Sequence, residues 1–121
     1  MVLDVHRDAL ITKEGVKYRP VVSQDGKDYA QVMLVMGTNE GGLEFDNWKE
    51  NLKTAFKVQS GLEEVLSGIA RPLFLAPQRY NEHLSPGSML IEVGGCGNYL
   101  SDAKNSAKVI ADVIAGVIKG N

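Results

Sequence analysis

RYNEHLSPGSMLIEVGGCGN, residues 79–98, decides the architecture of this chain. Within it Ser88-Met89-Leu90-Ile91 is an apolar strand that runs straight into Glu92, and Glu92 runs into the glycine-rich Gly94-Gly95-Cys96-Gly97. A carboxylate at the C-terminal end of a buried strand costs desolvation free energy unless something there uses it. In open α/β sheets that edge is where ligands sit. Near the N-terminus a second short strand, Val2–Val5, ends the same way at His6.

Working outward, Tyr18–Val22 and Tyr29–Met36 read as strands, and Asp25-Gly26 between them is the turn signal of a hairpin. The run Val32–Met36 is continuously apolar, as a strand covered on both faces would be. Asn47 reads as an N-cap with Glu50 completing a capping box. The helix that follows carries Trp48, Leu52, Ala55, Phe56, Leu62, Val65 and Leu66 at helical spacing and is expected to stop near Ser67-Gly68, with Trp48 and Phe56 in the core. Arg71–Leu75 is a short strand and Ser88–Val93 a stronger one. Ser101 is the expected N-cap of a last helix whose apolar face is Ala103, Ala107, Ile110, Ala111, Ile114, Val117 and Ile118, with Gly120 as its stop. Strands alternating with two amphipathic helices give a layered α/β domain spanning residues 1–121, with an open, mostly parallel sheet, flanking helices and one β-hairpin.

A chain of 121 residues with 44% hydrophobic side chains can build a real core. Its formal charge of −2 gives no basic excess for nucleic acid or an anionic membrane. No apolar run is long enough to span a bilayer, and no signal peptide opens the sequence. Because the first residues already form a core-type strand, the chain reads as a piece of a longer domain, and the missing signal carries no weight. The single Cys96 rules out an internal disulfide and a Cys-rich zinc site. It reads as a small residue in a tight loop, because no histidine lies near it in sequence to activate a thiol.

A histidine and a glutamate at two strand ends suggest metal-assisted hydrolysis. A neutral imidazole at His6 can bind zinc, with Asp4 or Asp8 orienting its other nitrogen; the alternative is a histidine that caps the strand. Glu92, inside an apolar strand, should hold its proton to higher pH unless a cation is close. That suits a general base which activates a water and then protonates a leaving amine. The alternative is a salt bridge to Arg79 or Arg71, and the residues leave both readings open. His83, among Asn81, Glu82 and Ser85, sits in a segment of surface-loop character. Ser85 and Ser88 lack a nucleophile-elbow context, and the glycine loop lacks a P-loop lysine and Rossmann spacing.

VLDVHRDA (Val2–Ala9), YAQVMLVMG (Tyr29–Gly37), NWKENL (Asn47–Leu52), RYNEHLSPGSMLIEVGGCGN (Arg79–Asn98) and the closing helix together resemble the stage II sporulation protein P family. The resemblance implies an amidase_3-like fold and a zinc-dependent N-acetylmuramoyl-L-alanine amidase acting on peptidoglycan. Glu92 matches the catalytic glutamate and His6 a zinc histidine. Arg79, Asn81 and His83 fall in the loop expected to touch substrate. The resemblance also implies action outside the cytoplasmic membrane, on the septal wall during engulfment. The implied partners are a lytic transglycosylase (stage II sporulation protein D) and a membrane scaffold (stage II sporulation protein M).

In the family a first zinc histidine and a zinc glutamate lie upstream of the segment matching Val2–Ala9, on an N-terminal strand and helix with no counterpart in this chain. His6 alone does not assemble a site of three protein ligands and one water. A sheet without that strand exposes an edge, so two further readings stand beside the enzyme. One is a cell-wall-binding module that holds peptidoglycan stem peptides through the Arg79–Asn81 loop without cutting them. The other is a fragment that self-associates as a homo-oligomer.

Overall fold

The computed structural model describes residues 1–120. Six strands and two long helices follow the chain as β1 (Leu3–Asp8), β2 (Val21–Gln24), β3 (Lys27–Ala30), β4 (Val32–Gly37), α1 (Trp48–Val65), β5 (Phe74–Ala76), β6 (Met89–Gly95) and α2 (Leu100–Ile118). A single 3-10 turn, Glu82–Leu84, interrupts the loop before β6. The main sheet has the order β1-β6-β4-β5. β1 runs parallel to β6 and β4 parallel to β5, while β4 and β6 are antiparallel. The sheet is therefore mixed α/β, with two parallel pairings and one antiparallel.

The hairpin forms where Asp25-Gly26 predicts it. Asp25 and Gly26 both take positive φ, 52° and 77°, the pair of left-handed residues that a type I′ turn requires. Yet the expected strand Tyr29–Met36 is two strands. It breaks at Gln31, and β3 pairs only with β2 in a separate two-stranded sheet while β4 enters the main sheet. The small sheet is tied to α2 instead, where Ser106 Oγ donates to Ala30 O (2.6 Å) and Asn105 Nδ2 to Asp28 O (2.9 Å).

Both helices lie on one face of the main sheet. Val32, Leu34 and Met36 of β4 and Met89, Ile91 and Val93 of β6 form one core with Ala55, Val58 and Leu62 of α1 and Ile110, Val113 and Ile114 of α2. These are alternate strand residues, as the period of two demands. Full burial of each large aliphatic side chain contributes about 2 kcal/mol, so this face carries the stability of the fold. The opposite face holds a much smaller cluster of Val35, Ala76 and Leu90, and is open for other work.

Several boundaries differ from expectation, each for a local reason. In α1 the buried stripe is Asn51, Ala55, Val58 and Leu62. Phe56 sits about 100° further round the helix than Ala55, and it and Val65 are more than half exposed rather than in the core. Asn47 stands at the N-cap but its side chain makes no cap bond, and Glu50 pairs with Lys53 (2.9 Å) instead of closing a box. At α2 the cap is Tyr99, not Ser101. Tyr99 N donates to Asp102 Oδ2 (3.0 Å), and Arg19 grips the same buried carboxylate through Nε and Nη2, both at 2.8 Å. That grip, with Asn98, holds the Asp102 carboxyl below its ordinary range despite its burial. The expected α2 face also shifts: Ala107, Ala111 and Ile118 are exposed and Val113 is buried. Gly120, with φ 85°, stands just past the end of the helix as expected.

Candidate functional site

Strands β1 and β6 are both longer than their apolar runs suggest. β1 continues past His6 to Asp8, and β6 continues past Glu92 through Gly94 and Gly95. His6 and Glu92 are therefore interior strand residues, not strand ends, and the site lies on the open face of the sheet rather than at its C-terminal edge. The glycines join the strand because side chains do not fit there. A Cβ on Gly94 would stand 2.9 Å from the Ala30 Cβ and closer still to Asn98 Oδ1.

Register sets the geometry. His6 on β1 is the partner of Glu92 on β6, and Glu92 is the partner of Met33 on β4. Two residues away, the next row on the same face is Asp4, Leu90, Val35 and Phe74, one from each strand of the sheet. These two rows floor a cavity of about 760 Å³ whose wall is completed by Tyr80 and Asn81.

Glu92 is half-buried, and its Oε2 is buried with no hydrogen-bond partner among the described residues. Burial pushes its pKa up and the Asp8 carboxylate adds to the rise, while His6 and Arg71 oppose it. Neither expected salt bridge forms. Arg71 Nη1 pairs with Asp8 Oδ2 at 3.1 Å, and Arg79 Nη1 donates to the Glu44 carbonyl at 2.9 Å. Nor do Asp4 and Asp8 orient His6. Asp8 is held by Arg71, and Asp4 Oδ2 accepts from Asn81 Nδ2 at 3.1 Å. His6 itself is exposed.

The three loop residues expected to touch substrate share one cavity of about 460 Å³ beside Gly41 and Pro77, but only one of them reaches Glu92. Asn81 reaches the cavity of Glu92 and His6. Arg79 and His83 also line a further cavity, of about 660 Å³, beside the start of α1. The loop that carries them is fixed by Glu82, which sequence reading passes over because its neighbours are polar. Glu82 is 3% exposed; its Oε1 accepts the Gly37 N–H at 2.9 Å, and Asn51 Nδ2 donates to its carbonyl at 2.9 Å. Gly37 is required beneath it, since a Cβ there would stand 2.7 Å from the Arg79 Cα. Tyr80, between these anchors, is left with φ 51°, a left-handed conformation that costs a non-glycine residue roughly 1 kcal/mol. Strand parity could have placed Asp4 and Phe74 on the site face; no sequence signal marks Tyr80 or Glu82.

A model of the family described as Stage II sporulation protein P (SpoIIP) matches residues 1–115. The chain belongs to the stage II sporulation protein P family. One member, the protein named Stage II sporulation protein P of Bacillus subtilis (strain 168), is 28% identical over 119 residues. That alignment covers 94% of this chain and 27% of the relative, so the chain spans about a quarter of its length. No solved structure matches.

The zinc that the family resemblance implies needs three protein donors around one ion. Among the described residues no three His, Cys, Asp or Glu side chains come together to hold a metal. His6 is the one histidine on this face among them, Asp4 and Asp8 are engaged elsewhere, and Cys96 lies beyond β6 in the turn to α2. The donor set of this chain by itself does not fit a zinc centre. No helix among the described residues is long and apolar enough to cross a membrane.

Proposed function

We propose that this chain is the part of a sporulation peptidoglycan hydrolase that carries its proton-transfer residue. The bond cut is the amide between N-acetylmuramic acid and L-alanine, during thinning of the septal wall and engulfment. The supporting observation is the Glu92 carboxyl, half-buried on an open sheet face, with an unpartnered oxygen, in the register row of His6. A carboxyl whose proton affinity is raised by burial can take a proton from the attacking water. The water oxygen bonds to the carbonyl carbon, the C–N bond breaks, and the same proton passes to the departing α-amine of alanine. Zinc as cofactor, with His6 as one donor, belongs to the same proposal, although the described residues by themselves gather no three donors. Action on the wall side of the membrane, beside a lytic transglycosylase and a membrane scaffold, belongs to the same proposal.

The test is product analysis. Purified peptidoglycan incubated with a longer protein that includes this chain should yield peptides with free L-alanine N-termini and glycan strands freed of peptide. Release of fragments cut only within the peptide, or only within the glycan, overturns the reading.

A second reading has one observation behind it. β1 is an edge strand, and Val5 on it is 66% exposed. An unpaired edge with apolar side chains invites strand addition from a second copy, which makes this chain a self-associating or wall-binding module. A concentration-dependent rise in mass during sedimentation, lost in Val5→Lys, would favour it over the enzyme.

A further inference from the structure

The row of Asp4, Leu90, Val35 and Phe74 is not used by the proton transfer assigned to Glu92, and its composition is unusual for a free surface. Leu90 and Val35 form a closed apolar floor, each 5% exposed. Two aromatic rings stand open beside it, Phe74 at 51% and Tyr80 at 39% exposure, and both line the Glu92 cavity. At the far end the Asp4 carboxylate and Asn81 amide face each other at 3.1 Å. Tyr80 is held there at the expense of a left-handed backbone, by Asn81 bonded to Asp4 on one side and by the loop packed on Gly37 on the other. Backbone strain that the surroundings enforce points to a placed side chain.

We propose that this row is a glycan subsite, which binds pyranose rings of the polysaccharide strand next to the bond that Glu92 acts on. This deepens the hydrolase reading and rests on it. The chemistry of the row fits a sugar better than a peptide. A pyranose presents a face of polarised C–H groups to an aromatic ring, whose quadrupole is negative on its face. Its rim of hydroxyls needs groups that both accept and donate, and a carboxylate beside a carboxamide supplies both. A mostly apolar wall with a few convergent polar groups is the general form of a small-ligand site. The spacing also fits. Rows two residues apart along a strand are separated by about 7 Å, so a ring seated on the Phe74 row brings its substituent to the Glu92 row. Asp4 and Phe74 lie three strand spacings apart, roughly 14 Å, which leaves room for more than one ring along the row.

The experiment uses the 121-residue chain and two probes, a β-1,4-linked N-acetylglucosamine tetramer and a sugar-free stem peptide. Titration is followed by calorimetry and by amide NMR shifts, with sedimentation on purified peptidoglycan in parallel. The tetramer should shift Tyr80, Phe74 and Asn81 resonances. Tyr80→Ala should weaken its binding at least tenfold, and Tyr80→Phe should keep it within twofold. Tyr80→Gly should lose binding as Tyr80→Ala does while melting no lower than the parent, since glycine accepts the left-handed conformation; that separates a lost subsite from a damaged fold. Tetramer binding that is unchanged in Tyr80→Ala overturns the subsite, as does stem peptide shifting the same residues in place of the tetramer. If the parent binds peptidoglycan but not the tetramer, only the subsite falls. If it binds neither, the subsite falls, and product analysis with the longer protein decides the hydrolase reading separately.

Discussion

Glu92→Gln, placed in a longer protein that cleaves peptidoglycan, should reduce the rate of amide cleavage by about 10²- to 10⁴-fold, the range for loss of a general acid–base. The substitution keeps the shape of the side chain and removes its ability to take and return a proton. It should not damage the fold. Among the described residues Glu92 Oε2 has no hydrogen-bond partner to lose, and its neighbours Asp8 and Arg71 are paired with each other. The ionised form of Glu92 is disfavoured by burial and by the Asp8 carboxylate, so the neutral glutamine should melt at the same temperature or slightly higher. Release of free L-alanine N-termini from purified wall, followed over time beside a thermal melt, checks both halves. Undiminished cleavage by a folded Glu92→Gln protein would remove Glu92 from the mechanism and leave its burial to be explained as packing.

The pairing of His6 with Glu92 was only half legible in the sequence. Both residues stand after apolar runs, which flags them as polar groups on core strands. Their register could not be read, because it depends on β1 pairing in parallel with β6 across more than 80 residues, and parallel register leaves no local turn signal. Strand ends were misplaced for a related reason. Asp8, Gly94 and Gly95 have poor strand propensity, yet Asp8 is held by Arg71, Gly94 is closely approached by Ala30 and Asn98, and Gly95 by the Asp8 carbonyl and Leu10. The Asp25-Gly26 turn was legible because its chemistry is local. A helical stripe wide enough to include Phe56 also fits the sequence; packing of α1 against both the sheet and α2 buries the narrower stripe through Ala55, Val58 and Leu62. The antiparallel step between β4 and β6 is likewise a tertiary outcome, set when Gln31 ends the hairpin and sends β4 into the other sheet.

Glu82→Gln should stabilise the chain above neutral pH and leave it nearly unchanged below pH 5. Burial is the main cause that lifts the Glu82 carboxyl from 4.5 to about 7, with Asp4 adding to the rise and the N–H groups of Gly37 and Leu90 working against it. Oε2 is buried and without a partner among the described residues, so the ionised form has nothing to balance its lost hydration there. The folded state thus holds this proton more tightly than the unfolded chain does. Stability is greatest below the unfolded value near 4.5, falls as pH rises through the window, and has lost its full amount once pH passes about 7. At 1.36 kcal/mol per pKa unit the loss is about 3 kcal/mol. Glutamine resembles the protonated acid in size and in its one accepted bond from Gly37, and it carries no charge at any pH. Urea unfolding of both proteins at pH 5 and pH 8 measures the effect as the change in their stability difference, between about 2 and 3 kcal/mol in favour of glutamine at the higher pH, because part of the loss has already occurred by pH 5. A difference that stays constant across that range would mean that Glu82 is charged at both pH values, with a counter-charge or water at Oε2. The consequence for the site is direct: Glu82 anchors the loop that sets Tyr80 and Asn81 beside Glu92. Loosening that anchor at alkaline pH should therefore weaken glycan binding in the parent and not in Glu82→Gln.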